Sequence, residues 1–126
     1  FVIHPVKPNL RLFTIRTHNI EQMTDFYNRV LDRTPDEVES GRLVEYKFDG
    51  SILGLYDPRS DDVGDEEIIQ GDNCIPAFKL GEDFESEMER IEEITDLEYQ
   101  ANQKGHRWFV FTDPEGNKVE MYRGSV

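Results

Sequence analysis

Glu120 stands in the middle of the strand-like run Gly116-Asn117-Lys118-Val119-Glu120-Met121-Tyr122. A carboxylate so placed has two chemical uses, as a ligand for a metal ion or as a proton acceptor. An echo of the run, Gly50-Ser51-Ile52-Leu53-Gly54-Leu55-Tyr56, lies 66 residues upstream, counted from Gly50 to Gly116. Glycine falls on glycine and tyrosine on tyrosine, but Gly54 stands where the twin of Glu120 belongs. Other candidate donors are sparse. His4, His18 and His106 have no neighbour at the i,i+4 or i,i+2 spacing that brings two ligands together, so each reads as a surface or cap residue. Cys74 has no histidine nearby in sequence to hold it as a thiolate, which argues against a nucleophile.

The echo extends beyond one strand. Arg42-Leu43-Val44-Glu45-Tyr46-Lys47-Phe48-Asp49 precedes the first glycine, and Arg107-Trp108-Phe109-Val110-Phe111-Thr112-Asp113 precedes the second, with Pro114-Glu115 enlarging that turn. Each reads as a strand entering a glycine hairpin. Upstream, Leu12-Phe13-Thr14-Ile15-Arg16-Thr17 alternates like a half-buried strand and leads to Asn19-Ile20-Glu21-Gln22, a capping-box-like helix start. Ile20, Met23, Phe26, Tyr27, Val30 and Leu31 then share one helix face. The second copy opens with Ile75-Pro76-Ala77-Phe78-Lys79-Leu80, an N-cap at Asp83, and a helix whose inner face is Phe84, Met88, Ile91 and Ile94 or Thr95. The order strand, helix, run of strands therefore occurs twice.

At 126 residues the chain is one ordinary domain, residues 1–126, and either half alone would bury a marginal core. Module 1 is expected over about residues 10–57, a linker rich in Asp, Gly, Pro and Ser over 58–73, and module 2 over about 74–123. The halves should pack together or swap with a partner chain. A net charge of −13 excludes a general nucleic-acid binder, because phosphates would be repelled. Much of that acid, Glu82, Asp83, Glu85, Glu87, Glu89, Glu92 and Glu93, falls on the second helix and reads as a solvated face. No apolar run approaches the roughly 20 residues of a membrane helix. One cysteine rules out an internal disulfide, and a reducing cytoplasm is the expected location, although a start at Phe1 rather than Met leaves a removed leader open.

Two motifs carry a family likeness. Asp25-Phe26-Tyr27-Asn28-Arg29-Val30-Leu31 is similar to the helix-one signature, and Phe111-Thr112-Asp113-Pro114-Glu115-Gly116-Asn117-Lys118-Val119-Glu120-Met121-Tyr122 to the final hairpin, of the vicinal-oxygen-chelate superfamily. That group holds the glyoxalase, bleomycin-resistance and extradiol-dioxygenase proteins. The resemblance runs from about Leu10 to Arg123 and implies an α+β fold of two tandem βαβββ modules, curling mixed sheets around a central cavity, with a homodimer as the common assembly. It also implies a divalent metal in the enzymes of the group, held from the first and last strands of the modules. Those positions fall here on Leu12, Gly54, Ile75 or Pro76 (Ile75 being preferred) and Glu120. One carboxylate cannot hold such an ion against water, so no metal or other cofactor is expected; one divalent metal is the alternative.

Strand alternation places Leu12, Thr14 and Arg16 on one face and Phe13, Ile15 and Thr17 beneath the helix. By the same rule Ile52, Gly54 and Tyr56, then Lys118, Glu120 and Tyr122, face the cavity that the resemblance implies. Trp108 with Val110 and Glu45 with Lys47 join them if Phe109, Phe111, Tyr46 and Phe48 pack inward. The expected ligand-binding residues are Leu12, Thr14, Arg16, Ile52, Tyr56, Lys79, Trp108, Glu120 and Tyr122. Each has a plainer alternative: Trp108 as core, the tyrosines as packing, Arg16 and Glu120 as a structural ion pair. The lining suits a small aromatic or polar-substituted ligand. Two functions follow. One is a metal-independent binding protein similar to the bleomycin-resistance branch. The other is a lyase, isomerase or dioxygenase in which Glu120 is the catalytic base or the sole carboxylate ligand of a metal.

Overall fold

A computed structural model of the chain describes residues 10–61, 68, 75–102 and 104–124. The element order is β1 (Leu12–Arg16), α1 (Ile20–Leu31), β2 (Glu37–Glu39), β3 (Leu43–Phe48), β4 (Ser51–Tyr56), then β5 (Ala77–Lys79), α2 (Phe84–Glu92), β6 (Leu97–Ala101), β7 (Arg107–Thr112) and β8 (Lys118–Arg123). A short 3-10 helix, Pro58–Asp61, opens the stretch read as linker, and most of the rest of that stretch, with Cys74 and His4, lies outside the described residues. Two four-stranded sheets result, in the orders β1-β4-β3-β2 and β5-β8-β7-β6. The first strand of each runs parallel to its neighbour, and the remaining pairs are antiparallel. This is the βαβββ unit twice, and neither sheet closes into a barrel.

The repeat is exact in register. Gly54 lies beside Thr14 on β1 and Glu45 on β3; Glu120 lies beside Ala77 on β5 and Val110 on β7. The matched glycines are explained by their backbone, since Gly50 and Gly116 turn their hairpins at φ 85° and 90°, where a side chain would be strained.

Alternation decides which face is buried. Ile15, Leu53, Leu55, Val44 and Tyr46 from the first sheet and Phe109, Phe111, Val119 and Met121 from the second turn inward, against Met23, Tyr27 and Val30 of α1 and Phe84 and Ile91 of α2, in one core. An aromatic line crosses that core from Phe26 through Phe111 and Phe109 to Phe84, at centroid spacings of 6.1, 6.2 and 5.4 Å. The two modules thus share their apolar interior, which neither could supply alone. Both expected N-caps differ in detail. Asn19 makes no side-chain cap, because Thr17 Oγ1 accepts its backbone N–H at 2.8 Å and its amide turns to Glu115. Asp83 accepts from Gly81 N–H instead of capping α2.

Candidate functional site

The faces turned away from the helices carry the residues that the sequence pointed to. In the second sheet a cross-strand row runs Lys79, Tyr122, Trp108, Gln100, and the adjacent row runs Ala77, Glu120, Val110, Glu98. In the first, one row runs Arg16, Tyr56, Leu43 and the next Thr14, Gly54, Glu45. Neighbours within a row stand about 5 Å apart, so each set forms a continuous platform. Leu12, Thr14, Arg16 and Lys79 are exposed, while Ile52, Tyr56, Trp108, Glu120 and Tyr122 are half-buried. Trp108 is therefore on the outer face and not in the core.

Between the modules the described residues line an open groove of about 940 Å³. It runs from the beginnings of β1 and β4 to β5 and the start of α2, past the end of α1. Four of the nine expected ligand residues meet there: Leu12, Ile52, Lys79 and Tyr122. Thr14, Arg16 and Tyr56 continue along the first sheet and Trp108 and Glu120 along the second, outside the groove. The sequence reading missed Phe48 and Phe78, which form its aromatic wall with ring centroids 5.4 Å apart. Both pack against the core, at its open margin.

A second feature lay hidden in the hairpin motif. Asp113 is 4% exposed, and its Oδ1 accepts the backbone N–H groups of Glu115 and Asn117, each at 2.9 Å. Its Oδ2 accepts the Tyr27 hydroxyl and the Asn117 side-chain amide, each at 2.8 Å. The Thr17 hydroxyl donates to Glu115. Burial first, then the charge of Asp113, pushes the Tyr27 hydroxyl far above its ordinary range, so it stays protonated as a donor. The Asp-x-x-Gly-Asn spacing could have signalled the turn; the partner on α1, 86 residues away, is set by packing. At the end of β4, hydrogen bonding from Arg59 holds the Asp57 carboxyl below the usual range, and the same guanidinium donates to the His18 carbonyl at 2.9 Å.

The positions that the family likeness assigned to a divalent metal can be tested on their donors. Leu12, Gly54 and Ile75 bring no donor side chain, and Glu120 alone brings a carboxylate. Among the described residues no three of His, Cys, Asp and Glu gather as a metal cluster. These side chains do not fit the ion. Space is not the obstacle at Gly54, where an added Cβ would meet Leu12 Cδ1 at 3.5 Å and Thr14 Oγ1 at 3.6 Å, ordinary contacts.

The paired βαβββ order and its register are what decide the comparison with known structures. The chain has the vicinal-oxygen-chelate fold. A lactoylglutathione lyase from Agrobacterium tumefaciens superposes at a TM-score of 0.75 with 20% identity, over 94% of this chain and 95% of that one. A glyoxalase/bleomycin resistance protein/dioxygenase from Nocardioides gives 0.71 with 17% identity, over 98% and 93%. The fosfomycin resistance protein FosX from Mesorhizobium loti gives 0.68 with 18% identity, over 97% and 96%. No protein-family model matches the sequence, and no curated protein sequence does. The vicinal-oxygen-chelate fold is thus shared with both a lyase and a resistance protein. No helix among the described residues is long and apolar enough to cross a membrane.

Proposed function

We propose that this chain is a metal-independent binding protein for a small aromatic or polar-substituted molecule, held against the outer face of the second sheet. One observation carries the reading. Lys79, Tyr122 and Trp108 line up across three adjacent strands, with Glu120 in the next row, which offers two aromatic rings flanked by a cation and a carboxylate. Apolar walls with a few placed polar groups are what small-molecule sites are made of. The platform is open in the single chain, so a second copy covering it, as a homodimer, completes the proposal. The setting we propose is the cytoplasm.

The test is a thermal-stabilisation screen of small aromatic acids, amines and amides on chelator-treated protein, repeated with Trp108→Ala and Glu120→Gln. The proposal expects hits without metal that weaken roughly tenfold or more when the Trp108 ring is removed, as for loss of a stacking anchor. In Glu120→Gln they should weaken only in part. Catalytic turnover that collapses in Glu120→Gln would replace this reading with a lyase or isomerase in which Glu120 is the base.

A further inference from the structure

The groove between the modules shares Lys79 and Tyr122 with the Trp108 platform but leaves Trp108 and Glu120 outside, and its chemistry differs. Among the described residues, three of the five large apolar side chains left exposed, Leu10 (82%), Leu12 (49%) and Ile75 (42%), lie on it. Its wall is the Phe48–Phe78 pair, and the Arg33 guanidinium already sits 5.0 Å from the Phe48 centroid. The charged groups lining it are Asp32, Asp49, Asp83 and Glu87 against Arg11 and Lys79. Glu87 is paired with Arg90, and Asp83 accepts from Gly81 N–H. Asp32 and Asp49 make no ion pair among the described residues; Asp49 directly follows Phe48, and Asp32 directly precedes Arg33, the residue that lies over the Phe48 ring. A volume of about 940 Å³ is at the upper end of what small organic ligands occupy.

We infer that this groove binds a small amphipathic cation, with its flat apolar body against Phe48 and Phe78 and a protonated amine toward Asp32 and Asp49. An anion is disfavoured by the surplus of carboxylates at the lining and by the net charge of −13. The apolar wall supplies affinity, and the two carboxylates choose the sign of the ligand. The inference goes beyond the proposed function: the groove shares Lys79 and Tyr122 with the Trp108 platform, but the residues it relies on are Phe48, Phe78, Asp32 and Asp49.

The experiment uses two probes that share one ring system and differ in charge, 2-naphthylmethylammonium and 2-naphthylacetate, titrated into the full chain by calorimetry and two-dimensional NMR. The cation should bind at least tenfold more tightly than the anion and shift the amides of Phe48, Asp49 and Phe78. Asp32→Asn and Asp49→Asn, both at exposed sites, should each weaken it roughly threefold and narrow the gap between probes. Asp32 sits at φ 53°, a conformation that asparagine also accepts, so the first variant keeps its backbone. Ser51→Trp, at the exposed margin of the groove, should block the cation while leaving the Trp108 platform intact. Equal affinity for the two probes, or no saturable binding, would overturn the inference. So would a cation that ignores all three variants but is lost in Trp108→Ala, an outcome that leaves the proposed function standing. Self-association that disappears in Ser51→Trp would make the groove an interface between copies and would also overturn it.

Discussion

The β3–β4 and β7–β8 hairpins occupy matching places in the two modules and do opposite things. The β7–β8 turn has five residues, Asp113 to Asn117, and reaches α1 and the segment just before it, where Tyr27 meets Asp113 and Thr17 meets Glu115. The β3–β4 turn has only Asp49 and Gly50, and beside it the groove stays open. Three extra residues, Pro114 and Glu115 among them, thus separate a seam held by buried hydrogen bonds from one that leaves a pocket. The same divergence shows on the outer faces, where Glu120 keeps a carboxylate and Gly54 has none.

The largest effect should come from the closed seam. Asp113→Ala removes four acceptor contacts and leaves the buried Tyr27 hydroxyl without a partner, so urea unfolding should show a loss of about 3 kcal/mol. Asp49→Ala, the matching change in the exposed short turn, should stay within about 0.5 kcal/mol. Equal losses would erase the distinction between the seams. Tyr27→Phe sharpens it, with an expected cost of about 1–2 kcal/mol, since Asp113 keeps its other three donors.

Acid separates the ends of the modules in another way. Hydrogen bonding from Arg59 lowers the Asp57 carboxyl in the folded chain, so its contribution is present above the unfolded carboxylate range, near pH 4, and is lost as pH falls below it. Asp57→Asn should therefore flatten the acid limb of a stability profile measured from pH 6 to pH 2, and an unchanged limb would show that Asp57 plays no part. The smallest effect is expected at Gly54→Ala. The added methyl meets only ordinary contacts at a strand position without positive φ, and stability should hold or rise by up to about 0.5 kcal/mol. A loss above about 1 kcal/mol would mean that the glycine is structurally required.

The fold was legible because each signal was local and occurred twice: alternation in β1, β4, β7 and β8, three- and four-residue spacing in α1 and α2, and a positive-φ glycine in each hairpin. Inward and outward faces followed from the same alternation, including Trp108 on the outer side and Phe109 in the core. The site was legible only in part. Which outer-face residues meet depends on how one module sits against the other, and that is set by contacts such as Tyr27 with Asp113 and Phe48 with Phe78, which no local pattern encodes. The capping box read at Asn19 is not formed for a similar reason: Thr17 and Glu115 compete for the groups that the motif would have used.

The central claim is that ligand binding here needs no resident metal, and elemental analysis of the purified protein tests it most directly. The protein would be measured before and after incubation with zinc, nickel, manganese or iron and with a chelator, its melting temperature followed in parallel. The account predicts no stoichiometric metal and a melting temperature unmoved by either treatment. One equivalent of metal per chain, with a melting temperature raised by the ion and lowered by the chelator, would contradict it.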